Sequence, residues 1–93
     1  MKQVIQYPVE VKNGEFTIDL PVGARLLNVH AFAGRGFLYV LEDPDPEVER
    51  APRRFCFAGT GSKIIENADA LFYVGTVPVN DGSYAYHLFT EFV

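Results

Sequence analysis

Apolar and polar residues alternate one by one along almost the whole chain, and short glycine-, asparagine- or proline-containing breaks interrupt them. A period of two is the signature of β-strands, because successive side chains leave a strand on opposite faces. Residues 2–9 alternate, with Val4 and Gln6 opposing Ile5 and Tyr7. Pro8 suits an edge strand, since it has no N–H to give a ladder. Glu15 to Leu20 sets Phe16, Ile18 and Leu20 against Glu15, Thr17 and Asp19. Asn13-Gly14 between the two runs is a strong hairpin signal, so residues 2–20 read as a hairpin with one wet face.

Beyond the Pro21–Ala24 turn, Arg25 to Ala33 carries apolar residues on both faces. Strict alternation places Leu27, Val29, Ala31 and Ala33 on one face and Leu26 and Phe32 on the other. Phe37 to Leu41 is also apolar on both sides. Such runs predict central or covered strands. Pro44 and Pro46 then stop the ladder, and the stretch 42–51 reads as a solvated loop. A fifth strand is expected over Arg53 to Ala58, a sixth over Leu71 to Val79, and a seventh over Ser83 to Phe92. The seventh should show Tyr84, Tyr86, Leu88 and Thr90 on one face and Ala85, His87 and Phe89 on the other. Asn80-Asp81-Gly82 joins the last two as a second hairpin. Residues 63–70 alone could hold a helical turn. Seven short strands predict one all-β domain over residues 1–93, a compact antiparallel sandwich or a small open barrel.

A chain of 93 residues supports one core. Eight Phe and five Tyr are a heavy aromatic load for it. Some of that surface should stay exposed and mark a partner, so a homo-oligomer is expected. The net charge of −4 is concentrated in Glu42, Asp43, Asp45, Glu47 and Glu49. Outside that stretch seven acids face eight bases, a balance of +1. This argues against a long nucleic acid as partner, which would call for a basic surface. Two or three local cations would still suffice for a small phosphorylated ligand. No run approaches the roughly 20 apolar residues of a membrane helix, and the N-terminus lacks a signal-peptide pattern. A cytoplasmic protein is the expectation.

Cys56, the only cysteine, reads as a buried, inert thiol in a strand. His30 and His87 lie mid-strand, and no serine or cysteine sits in a nucleophile elbow. Neither a catalytic constellation nor a metal set is legible. The acidic loop departs from a calcium loop through its prolines and missing glycine. No cofactor is implied, and a binding module is expected, not an enzyme.

The candidate contact residues gather around Gly59-Thr60-Gly61-Ser62-Lys63. Small residues there could expose amides, with Lys63 to neutralise a phosphate. It is not a P-loop, because the spacing and the following helix are missing. Arg53 and Arg54 lead into this turn, with side chains on opposite strand faces, and either could fork onto a phosphate. Tyr84, Tyr86 and His87 on the last strand complete the candidate set, a rim tyrosine being able to stack a base.

Taken in order, Leu20 to Leu27, Gly36 to Pro44, Arg54 to Gly61, Tyr73 to Val77 and Tyr86 to Phe89 make the chain resemble a family of small uncharacterised bacteriophage and prophage proteins. The shared features are a Pro-x-Gly-Ala turn (Pro21, Gly23, Ala24), a Gly-Thr-Gly turn (Gly59, Thr60, Gly61) and a closing aromatic-x-His strand with His87. That family more typically carries Trp or a β-branched residue where this chain has Tyr86. The resemblance implies a phage accessory protein acting in the host cytoplasm, with no known activity. Two roles then compete. One is a counter-defence protein that sequesters a nucleotide immune signal or blocks a host defence protein. The other is a virion or assembly accessory protein.

Overall fold

The structure is a computed structural model, and it describes residues 1–63 and 70–91. Seven strands follow one another: β1 (Gln3–Val9), β2 (Gly14–Pro21), β3 (Arg25–Phe32), β4 (Arg35–Glu42), β5 (Arg50–Gly59), β6 (Phe72–Val79) and β7 (Tyr84–Thr90). They form two antiparallel sheets, one ordered β1-β4-β3 and the other β2-β5-β7-β6. The two sheets do not close into a barrel. The architecture is a sandwich, as the strand pattern predicts.

The alternation is resolved by burial. From the first sheet, Leu38 and Val40 of β4 and Val29 of β3 point inward. From the second, Leu20, Phe55, Phe57, Val77 and Leu88 meet them. Phe16 stacks on Phe55 and Phe57 with ring centroids 5.3 and 5.6 Å away, and Tyr86 meets Phe57 edge-on at 6.4 Å. Cys56 is also buried, as expected, but on the opposite face of β5.

Three expectations are corrected or made specific. Residues 2–20 are not a hairpin: β1 pairs β4, while β2 pairs β5 in the opposite sheet. The Asn13-Gly14 turn carries the chain across the sandwich, and each strand still keeps one wet face, so alternation cannot separate the two arrangements. Secondly, of the two readings of the apolar runs, β4 is the central strand of its sheet, while β3 is an edge strand covered by β6 of the other sheet. Part of β3's apolarity is used against β6, where a Cβ on Gly75 would lie 2.9 Å from Val29 Cγ1. A bulge between Leu26 and Asn28 also resets the alternation. It turns Leu26 inward with Val29 and Ala31, and leaves Leu27 exposed.

The third correction concerns Glu42. It is not part of the solvated loop but the last residue of β4, only 4% exposed. Its carboxylate accepts a hydrogen bond from the Tyr7 hydroxyl. Arg50 of β5 stands 3.9 Å away, donates to the Asp19 carbonyl at 2.6 Å and also reaches Tyr7 at 3.5 Å. This polar cluster ties β1 and β4 to β2 and β5. The expected helical turn in 63–70 falls mainly on residues 64–69, outside the described residues, as does Phe92.

The β3–β4 hairpin turns through Ala33 (φ 53°) and Gly34 (φ 78°). Positive φ at both central residues is the primed turn that matches strand twist. Alanine holds it at a cost of about 1 kcal/mol, because its Cβ crowds the carbonyl. Ala33→Asn, which creates an Asn-Gly turn, is therefore expected to raise stability by about 0.5–1 kcal/mol. A urea-midpoint comparison checks this, and an unchanged or lowered midpoint would refute it.

Candidate binding site

The β6–β7 hairpin sets up the most organised polar surface. Counting back from its turn, Val79 faces Tyr84 and Thr76 faces His87. Both Thr76 and His87 lie on the outer face of the second sheet. On the far side of β7, Ala58 of β5 pairs with His87, and the chain leaving β5 brings Thr60 alongside. The imidazole is thus held on both sides: Nε2 is 2.9 Å from Thr60 Oγ1 and Nδ1 is 3.1 Å from Thr76 Oγ1. A hydroxyl can donate or accept, so the two threonines satisfy whichever tautomer is present.

The row continues to Tyr73, whose hydroxyl bonds Thr76 Oγ1. Residues three apart on a regular strand point to opposite faces. A bulge between Tyr73 and Gly75 brings these two to the same side. Tyr73 is 58% exposed, and its ring meets Phe89 edge-on at 5.9 Å. Tyr73, Thr76, His87 and Thr60 therefore form a continuous strip of hydroxyls and rings across three segments.

The glycine turn stands at one end of this strip, and most of its polarity is spent inside the chain. Gly59 N–H donates to Asn13 Oδ1 at 2.7 Å, Thr60 N–H to the Ala85 carbonyl at 3.0 Å, and Ser62 N–H to the Gly59 carbonyl at 2.9 Å. Asn13 also donates to Ser62 Oγ at 3.3 Å. The turn is a rigid support more than an open ring of amides. Tyr84 packs over it and donates to the Thr60 carbonyl at 3.2 Å. A Cβ on Gly59 would sit 2.2 Å from that hydroxyl, so glycine there makes room for the tyrosine. Gly61 and Lys63 are exposed at the tip.

Not all of the sequence candidates meet. Thr60, Gly59, Gly61, Ser62, Lys63, Tyr84 and His87 share this end of the sheet. Tyr86 faces inward onto Phe57. Arg53 and Arg54 begin five to six residues before Gly59 on an extended strand, about 20 Å away, and their side chains do take opposite faces. Arg54 pairs with Glu15 at 3.0 Å and approaches Glu91 at 4.0 Å. Arg53 is buried, and desolvation pushes its guanidinium below its usual pKa, with the Glu91 charge acting the other way. His30 stands exposed on the outer face of the first sheet.

Tyr73 and Thr76 are missing from the sequence candidates. The Thr76–His87 pair was within reach, because the hairpin turn fixes the register. The bulge that recruits Tyr73 is marked only by Gly75, a glycine inside a strand being a weak bulge signal. Among the described residues, no cluster of three or more His, Cys, Asp or Glu is placed to hold a metal ion. No helix among them is long and apolar enough to cross a membrane.

The fold and this strip define an all-β sandwich with a polar-aromatic outer sheet face. The chain belongs to a domain family of unknown function, DUF7352, whose model matches residues 1–92. Comparison with curated proteins and with solved structures gave no match for either.

Proposed function

We propose that this protein is a non-catalytic binding module that sequesters a small phosphorylated ligand of the nucleotide type on the outer face of its second sheet. The observation that carries the reading is the strip itself: exposed Tyr73, with Phe89 beside it, next to Thr76, His87 and Thr60. Aromatic rings on an open sheet face stack bases, and neighbouring hydroxyls and imidazole read their polar edges. Lys63 at the adjoining tip supplies a cation for phosphate. Binding is favoured over catalysis because His87 is flanked by two hydroxyls. Glu15 and Glu91 on the same sheet are engaged by Arg54, and the ring nitrogens are held by hydroxyls where a catalytic base would have an orienting carboxylate. The resemblance to phage proteins suits a counter-defence role, with a nucleotide immune signal as the ligand in the host cytoplasm.

Thermal denaturation with cyclic di- and trinucleotides and ADP-ribose derivatives tests this. A true ligand at 100 times its Kd adds about 2.7 kcal/mol, raising Tm by roughly 10 °C or more. Tyr73→Ala and His87→Ala should each remove most of that shift. A panel that leaves the melting curve unmoved sinks the nucleotide reading. Blocking a host defence protein or serving as an assembly accessory would draw instead on exposed apolar residues such as Val4, Leu27 and Phe32. Co-sedimentation with purified particles separates the accessory role from the others.

A further inference from the structure

The end of the sandwich where β1 runs into the Asn13-Gly14 crossing is open beside that crossing. The β3–β4 hairpin tip forms one wall of a groove of about 1100 Å³. The β6–β7 turn forms the other, and the end of β1 lies beneath the hairpin on the floor. That volume lies at the upper end of the range for small-molecule pockets, so size alone does not name the occupant.

Its walls are unlike in charge. The hairpin wall carries Phe32 and exposed Arg35, while the opposite wall carries exposed Asp81. Phe32 is 71% exposed, the most exposed aromatic side chain in the described chain. A phenyl ring left largely in water forfeits the stabilisation that burial would give it. The floor is apolar and tightly packed: a Cβ on Gly36 would lie 2.5 Å from Val11 Cγ2 and 2.9 Å from the Val9 carbonyl oxygen. The hairpin tip is held in a defined primed turn by Ala33 and Gly34, so it can dock without first being ordered.

We propose that the occupant of this groove is the β3–β4 hairpin of a second copy of the chain, inserted reciprocally about a two-fold axis. Such an interface is isologous, so each contact is made twice. Phe32 of each copy fills the apolar floor of the other. Arg35 of one copy then faces Asp81 of the other, which the opposed charges of the two walls provide for within a single sequence. A small apolar ligand could fill the floor but would leave both charges and part of Phe32 uncovered. The groove shares no lining residue with the polar strip around His87, so the two proposals can be tested separately.

Sedimentation equilibrium of the whole chain from about 1 to about 500 µM tests the arrangement. Wild type should show a monomer–dimer equilibrium, and Phe32→Ser should be monomeric throughout with an unchanged circular dichroism spectrum. Arg35→Gln and Asp81→Asn should each raise the dimer Kd by about 5-fold, and the double variant by no more than either alone. Val4→Asp, on the outer sheet face at the opposite end of β1, should leave the dimer intact. A monomeric wild type would overturn the proposal and leave the groove to a different partner. So would a dimer indifferent to Phe32→Ser, a strictly additive Arg35–Asp81 cycle, or a dimer broken by Val4→Asp.

Discussion

Replacing Phe57 with alanine is expected to remove about 3–5 kcal/mol of stability, the loss seen when a large aromatic leaves a packed core. Phe57 is 1% exposed at the centre of β5, between Phe16 of β2 and Tyr86 of β7. Both neighbours sit in the same sheet, so they cannot move in to fill the space without leaving their own ladders. A domain of this length has a total of roughly 5–15 kcal/mol. The variant should therefore denature at about half the wild-type urea concentration or be unfolded at 37 °C. The adjacent Cys56→Ala is the control. Its side chain leaves the opposite face of the strand and is small, so about 1 kcal/mol is the expected cost. Equal losses at the two positions would mean that β5 does not separate a core face from an outer face.

That control also marks how far the sequence could be read. The faces of β7 follow from alternation alone: Leu88 and Thr90 are buried, and His87 and Phe89 are on the other side. The β6–β7 hairpin follows from Asn80-Asp81-Gly82. What alternation does not carry is which strand lies beside which. Residues 10–14 look the same whether they fold β2 back on β1 or pass it to the other sheet, because each strand needs only one wet face in either case. Bulges are the second blind spot. The one in β3 exchanges the roles of Leu26 and Leu27, and the one in β6 adds Tyr73 to the polar strip. The β3 bulge, at Leu26-Leu27-Asn28, has no glycine to announce it, and the β6 bulge is marked only by Gly75, so the periodicity changes phase with little warning.

The candidate site was legible in a similar, partial way. The Gly59–Lys63 turn and His87 do lie together, since Thr60 bonds the ring. Arg53 and Arg54 do not join them, for a reason of length: an extended strand rises about 3.3 Å per residue, so near in sequence is far in space. Composition alone also overstates how many of the turn's amides are open. Small residues expose backbone groups only if nothing else in the fold claims them, and here Asn13 and Ala85 do. Long-range partners of that kind are invisible until the sheets are assembled.

Glu42 is where the same limitation has its largest energetic consequence. A carboxylate beside Asp43-Pro44 reads as loop, yet its burial makes it a fixed point between the sheets. Glu42→Ala is expected to cost about 2–4 kcal/mol, since it strips Tyr7 of its acceptor and Arg50 of its buried counter-charge. The figure stays below the upper range for buried pairs because Arg50 keeps Asp19, 3.6 Å away, and is itself about half exposed. Glu42→Gln retains an acceptor for Tyr7 and should lose about half as much. Tyr7 offers an independent readout. Its phenol is raised above 10.0, chiefly by burial and next by its hydrogen bond to Glu42, with Arg50 opposing. The unfolded chain therefore releases this proton first as pH rises past its ordinary value. Native protein holds more protons in that window, so stability must fall with increasing pH there, and the contribution is fully present below it. Tyr7→Phe should be less stable than wild type by about 1 kcal/mol at neutral pH, and the gap should narrow as pH rises above about 10. Urea denaturation at several pH values measures both quantities. A gap that stays constant or widens across that range would show that the Tyr7–Glu42 bond does not hold the phenol's proton in the folded state.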